Sequence, residues 1–338
     1  MLRTTGDPGT AKRLDQVLKR WGTSTLAPSG IGTAPASLPV DTESRLALAD
    51  EYPPMTDAEV ILNPEHDAAI ANFITYYQAS DRLEAAGVGQ TPAILLHGPP
   101  GCGKTVLGHT IASRLGLPLL VARIDSMVSS YLGATAKNLR LLFDHARSKP
   151  CVLFLDEFDA IAKIRDDNHE LGELKRVVVG LLQNIDSLGR QTVLVAATNH
   201  EHLLDRAIWR RFTVHLHLDL PDERLRRHLL ERFIRGYATS DELDLYARLS
   251  EGLSGAVIRT CVEDGVRAAI VANATAISWA DMVRRILALR QISLGDGRSF
   301  DDLHRIRELD PRFFTQKRLA ELHEFSVSYV QKILTRRR

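Results

Sequence analysis

The chain has 338 residues, 44% of them hydrophobic, enough for two or three compact units. Its net charge of +1, from 43 basic and 42 acidic side chains, excludes a global field for nucleic acid or an anionic membrane, though local patches remain open. Three cysteines without paired spacing, Cys102, Cys151 and Cys261, exclude a disulfide scaffold and fit a reducing compartment.

In chain order, residues 11–20 predict a short helix with Leu14, Val17 and Leu18 on one face. Trp21 to Pro39 is rich in Gly, Ser, Thr, Ala and Pro and reads as a linker or as a small extension docked on the body. Residues 66–86 predict a helix, with Ala69, Ile70, Phe73 and Ile74 at helical spacing. Then short apolar runs alternate with helical ones. Strands are expected at 93–97, 118–124, 151–156, 192–198 and 212–218, and helices at 105–115, 135–147 and 173–188. Apolar strands joined by helical crossovers imply a mostly parallel sheet covered by helices on both faces. After Pro221 only helical runs follow, at 222–237, 243–250, 254–273 and 278–290. This predicts an α/β domain followed by an all-helical unit and a helical tail over 301–338. No run of about 18 apolar residues occurs, and the opening MLRTTGDPGT lacks the apolar core of a secretion signal. The expectation is a soluble, cytoplasmic protein with no membrane partner.

The run Gly98, Pro99, Pro100, Gly101, Cys102, Gly103, Lys104, Thr105 has the spacing of a phosphate loop, entered from a strand and left by a helix. Its glycines let backbone N–H groups wrap a phosphate. Lys104 would contact the β- and γ-phosphates of ATP, Thr105 would coordinate Mg²⁺, and Val106 closes the binding run. Asp156 and Glu157 end the most apolar strand, where adjacent carboxylates are costly without a partner. The pair predicts Asp156 as a magnesium holder and Glu157 as general base for an attacking water. Asn199, after the strand 192–198, suits either a water-orienting carboxamide or an ordinary turn.

These motifs resemble AAA ATPases, the P-loop group that includes spastin, katanin, the proteasomal ATPases and FtsH, and above all stand-alone bacterial members. GPPGCGKT and FLDEFDAIAK match the two nucleotide motifs. VAATN matches the strand with the polar sensor, which assigns Asn199 to the water. LLDRAIWRRF matches the segment with arginines that act on a neighbouring subunit, here Arg210 and Arg211. LSGAVI matches the start of the lid helix, bringing Gly255 and Ala256 near the nucleotide base. SSYLGATAKN resembles a first pore loop that grips polypeptide, with Tyr131, Leu132 and Gly133 at the matching positions. Residues 164–173 fall where a second pore loop would lie. The resemblance covers about residues 65–290 and implies a self-assembled ring, usually a hexamer. Departures exist: relatives commonly have a Glu near Ala134, and no Pro-Gly separates the two arginines. No HExxH motif is present, so zinc proteolysis is not expected of this chain.

The tail from 313 resembles a helix-turn-helix unit, with helices at 315–322 and 328–336. Its expected small core is Leu319, Ala320, Leu322, Val327, Val330 and Ile333, and Glu324 stands where such turns usually place Gly. Ser328, Tyr329, Gln331 and Lys332 are the candidate groove-facing residues for DNA. The other use is a helical hairpin that packs on the lid or docks a protein. The expected division is an extension and linker over 1–60, an ATPase domain over 61–220, a lid over 221–295 and the tail over 301–338. The expected function is an ATP-hydrolysing ring motor that remodels or threads protein. The alternatives are a DNA-associated ATPase acting through the tail and a nucleotide-switched assembly subunit.

Overall fold

The computed structural model describes residues 38–335, apart from 42–44, 55–59, 128–131 and 163–170. Side chains of residues 132, 133 and 171–176 are also outside the description. The helix expected at 11–20, most of the linker expected at 21–39, Tyr131 and most of segment 164–173 therefore lie outside the described residues.

Six strands form one sheet: β1 (Ala49–Tyr52), β2 (Ala93–His97), β3 (Leu119–Ala122), β4 (Cys151–Leu155), β5 (Thr192–Thr198) and β6 (Val214–His217). The order is β1-β3-β4-β5-β2-β6. Strands β2 to β6 are parallel, as their apolar runs predict, and β1 is an antiparallel edge on β3. Strand β1 has no signature in the sequence. Its residues ADEY include two acids and leave Glu51 and Tyr52 exposed, as an edge strand tolerates.

Alternation along each strand divides the interior into two apolar layers. Ala93 and Leu95 of β2, Leu153 and Leu155 of β4, and Leu194 and Ala196 of β5 face one layer, which the helices Leu132–Arg147 and Leu171–Asp186 cover. Ile94, Leu96, Val152, Phe154, Val193 and Val195 face the other, under the helices Pro64–Gln78 and Lys104–Leu115. The helical run expected at 66–86 is two helices, Pro64–Gln78 and Ser80–Ala85. The first begins with Asn63 capping the His66 N–H and Pro64 at its start, a strong N-terminal signal.

Beyond Pro221 the chain is helical: Glu223–Ile234, Ser240–Leu249, Gly255–Val271, Trp279–Leu289, Phe300–Leu309, Gln316–Leu322 and Val327–Thr335. Thr239 and Glu242 form a capping box at the second of these. All seven contribute to one apolar core, in which Tyr246, Val262, Met282 and Leu287 from the lid meet Leu303, Phe314, Leu319 and Val330 from the tail. Polar ties reinforce that join. Arg248 donates to buried Asp310, Trp279 Nε1 donates to Glu321 at 2.8 Å, and Arg284 donates to Leu322 O at 2.6 Å. Arg318 lies over the rings of both Trp279 and Phe313, 4.6 and 4.7 Å from their centroids.

The tail helices meet through a turn at 323–326, where Glu324 has φ +58°. Its left-handed backbone is the conformation a glycine adopts most easily. Leu319, Ala320, Leu322, Val330 and Ile333 are buried as expected, but Val327 is 45% exposed. It is the first residue of its helix.

Candidate functional site

The carboxyl ends of β2, β4 and β5 converge on one rim of the sheet. Register pairs Leu155 with Ala196 and Thr198 with His97. The phosphate-loop run, Asp156 and Asn199 thus leave adjacent strands at the same level, where open α/β sheets bind ligands. β2 is the switch point, because its neighbours β5 and β6 come later in the chain and lie on opposite sides.

Residues Gly98 to Gly103 form a loop with unusual backbone angles. Gly98 has φ +132°, and a Cβ there would lie 2.3 Å from Leu218 O. Gly101 has φ +77°, and its Cβ would lie 2.6 Å from Ser254 Oγ. Neither position can take a side chain without displacing neighbours. Pro99 is half-buried, Pro100 is exposed, and Cys102 is half-buried, with burial raising its thiol pKa. Gly103 caps the helix that Lys104, Thr105 and Val106 begin. Helix N-termini and glycine-rich turns offer N–H groups and a positive dipole end to an anion.

Lys104 is 6% exposed, and its Nζ donates to Gly98 O at 2.7 Å and Pro99 O at 2.9 Å. Burial lowers its pKa, while Cys102, Asp156, Glu201 and Asp159 oppose that shift. Thr105 Oγ1 donates to Asp156 Oδ2 at 2.7 Å. A hydroxyl and a carboxylate within that distance form a donor set suited to magnesium, a hard cation that takes oxygen ligands. Asp156 Oδ1 accepts the Glu157 N–H at 2.9 Å, and the Phe158 N–H donates to Ala197 O at 2.8 Å. Glu157 is exposed and has φ +48°. A glutamate held left-handed at a strand tip is the kind of outlier that marks functional positions.

Asn199 is exposed in the bend after β5. The neighbouring turn is clasped by Thr198 Oγ1, which donates to Asp159 Oδ1 at 2.7 Å and accepts the His200 N–H at 2.9 Å. This clasp between the segments that follow β4 and β5 went unnoticed in the sequence, since a Thr and an Asp 39 positions apart carry no local signal. The helix Gly255–Val271 meets this loop: Ala256 N donates to Gly101 O at 3.0 Å, and Gly255 and Ala256 open that helix.

The two arginines differ. Arg211 makes a paired contact with Asp186, Nε and Nη2 each 3.0 Å from a carboxylate oxygen, and donates to Ala207 O. That bond raises its pKa further. Arg210 is exposed at the end of the helix Arg206–Trp209, and no contact among the described residues joins either arginine to the phosphate loop. Leu132 and Gly133 form the start of the helix Leu132–Arg147. Cys151 and Cys261 are buried free thiols with pKa values pushed up to about 11 by burial.

The sheet order and the glycine loop at its switch point, with a Thr–Asp pair beneath it, define a P-loop nucleoside triphosphatase. Residues 94–220 match the ATPase family associated with various cellular activities (AAA). The chain is 36% identical over 228 residues to the uncharacterized AAA family ATPase y4kL of Sinorhizobium fredii, covering 68% of this chain and 69% of that protein. It is 33% identical over 240 residues to the ATP-dependent zinc metalloprotease FtsH 1 of Symbiobacterium thermophilum, covering 68% of this chain and 40% of that protein. A third relative, the ribosome biogenesis ATPase RIX7 of Saccharomyces cerevisiae, is 35% identical over 189 residues, 53% of this chain and 23% of its own length. The chain belongs to the AAA ATPase family and is an ATP-hydrolysing enzyme. No helix among the described residues is long and apolar enough to cross a membrane.

Proposed function

We propose that this chain is a ring-forming motor that remodels or threads protein substrates, driven by ATP hydrolysis at the loop Gly98–Thr105. The observation that carries the reading is the hydrogen bond from Ala256 N to Gly101 O. It joins the first turn of the lid to the loop that would hold the phosphates. A change at the phosphates is thereby transmitted to a helical body without an intermediary.

In this reading Lys104 would hold the β- and γ-phosphates, and Thr105 and Asp156 would hold magnesium. Bound magnesium would offset negative charge on the phosphoryl group in transit. Glu157 accepts the proton of the attacking water, and Asn199 orients that water. Arg210 is the residue available to a neighbouring subunit, while Arg211 braces the short helix against Asp186. The ring would bring Tyr131, Leu132 and Gly133 to a central channel. The working division is an extension over 1–60, whose β1 joins the motor's sheet, then the motor over 61–220, the lid over 221–295 and the tail over 301–338.

Glu157→Gln tests this. It should retain Mg·ATP while turnover falls about 10²–10⁴-fold, and an unfolded protein should co-purify with the trapped ring. Normal hydrolysis by that variant would remove Glu157 from the mechanism, and a trapped ring that captures no polypeptide would count against threading.

A DNA-associated role has one observation in its favour. On the helix Val327–Thr335, Ser328, Tyr329, Gln331 and Lys332 are all exposed, while Val330 and Ile333 are buried. Duplex binding by the intact chain that weakens with salt and vanishes in Lys332→Ala, Gln331→Ala would support it. Salt-insensitive or absent binding would leave the tail as lid structure alone.

A further inference from the structure

Just ahead of the phosphate loop, two strands end in histidines. His97 closes β2 and His217 closes β6, and the sheet register places them opposite one another. Their Nδ1 atoms are 3.1 Å apart and their rings are tilted by 53°. Glu201, two residues beyond Asn199, brings Oε1 to 4.0 Å from His97 Nδ1. One ligand atom from each of the three lies within 4.8 Å of the others. His217 Nε2 is 2.8 Å from Asp219 Oδ1. A carboxylate at that nitrogen takes its hydrogen and leaves the Nδ1 lone pair directed at His97.

We propose that His97, His217 and Glu201 form a site for a zinc-class divalent cation, with Asp219 orienting His217 from behind. Two imidazole nitrogens bound tetrahedrally at about 2.0–2.1 Å stand roughly 3.3 Å apart, close to the spacing these strands already impose. Two nitrogens and one carboxylate oxygen select zinc, cobalt or nickel over magnesium, which prefers oxygen ligands. The site shares no residue with the Thr105–Asp156 pair. Trp209 forms one wall, its ring 5.4 Å from that of His97 and stacked on His215 at 4.3 Å.

The location gives the site a consequence. A cation here links the end of β2, the end of β6 and the segment after Asn199. Gly98 follows His97 directly and packs against Leu218 O, the residue after His217. A bound cation would therefore brace the entrance of the phosphate loop.

The test uses the full chain stripped of metal and titrated with Co²⁺, without nucleotide. One equivalent should bind, with visible absorption bands of a tetrahedral nitrogen–oxygen complex and no sulfur charge-transfer band. Zn²⁺ should displace it and raise the melting temperature. His217→Ala, at an exposed position, should abolish the bands, and Asp219→Asn should weaken binding about 10–100-fold. His202→Ala should bind as the parent does. No visible bands at micromolar Co²⁺, bands that survive in His217→Ala, or a sulfur charge-transfer band implicating Cys102 would each overturn the proposal.

Discussion

The sheet region and the helical region of this chain solve the same packing problem differently. In the sheet, each strand divides its apolar residues between two layers, and polar chemistry is confined to the strand ends. In the helical region seven helices share one core, and charged groups are built into it. Asp310 is 6% exposed, receives Arg248 at 2.8 Å and accepts the backbone N–H groups of Arg312 and Phe313. Arg226 is buried and donates to Ala247 O and Pro221 O at the junction of the regions. The sheet thus concentrates function at a rim, whereas the helices devote their polar groups to holding one another. A motor has use for both: a fixed chemical site and a body that moves as a unit.

The comparison can be broken most severely at the proposed ring interface, because in that reading the sheet's rim would be chemically incomplete without a neighbour. Arg210→Ala should lower turnover about 10³-fold, since a guanidinium supplied in trans contributes about 10³–10⁵. Mixing Arg210→Ala subunits with Lys104→Ala subunits should restore part of it, because some interfaces then have an intact pocket facing an intact arginine. No recovery on mixing would mean that Arg210 acts within its own chain. Arg211→Ala should chiefly loosen the helix Arg206–Trp209.

The next largest effect concerns the shared core. Phe314 is fully buried among lid and tail residues. Phe314→Ala should cost about 3–5 kcal/mol. Hydrogen exchange should then rise in the helices Trp279–Leu289 and Gln316–Leu322 while β2, β4 and β5 stay protected. Equal loss of protection in the strands would mean that the regions unfold as one.

Acid should weaken the helical region through one buried histidine. His323, beside Gly297 in the tail turn, has a buried Nε2 without a partner. Its pKa is lowered first by burial and then by Arg284, against the pull of Asp302 and Asp296. The unfolded chain therefore binds a proton that the folded chain resists. Stability is full above the ordinary histidine value of about 6.5 and falls as pH drops below it. A melt of the parent at pH 7 and pH 5 should show this loss, and His323→Gln should show less of it. His109 and His145 shift the same way in the sheet region and for the same first cause, so some loss will remain.

The smallest effect is a gain. Glu324→Gly should stabilise the tail by up to about 1 kcal/mol, because glycine adopts the left-handed backbone at that turn without strain. A loss would mean that the contact of Glu324 with Arg284, 3.3 Å in length, outweighs the backbone term.

Legibility in the sequence followed the same division. Strands β2 and β5 match their apolar runs residue for residue, because a doubly covered strand is continuously apolar. The glycine loop and strand-tip acids were legible because their spacing is local. Strand β1 was not, since a four-residue edge with two acids has no periodicity. The helices of the tail were visible, but not the core they share with the lid, because the partner of Phe314 or Asp310 is set by tertiary packing. His97, Glu201 and His217 escaped for the same reason: strand register, and not spacing along the chain, brings them together. The left-handed backbone at Glu324 was not legible, since a glutamate carries no signal for that conformation.

Calorimetry of Mg·ATP with the parent chain and Lys104→Ala tests the phosphate-loop site most directly. The parent should bind nucleotide, and the variant should lose about ten- to a hundredfold in affinity, the worth of a charge-assisted hydrogen bond. Equal affinity in the two would contradict the assignment of Lys104 and of the loop around it.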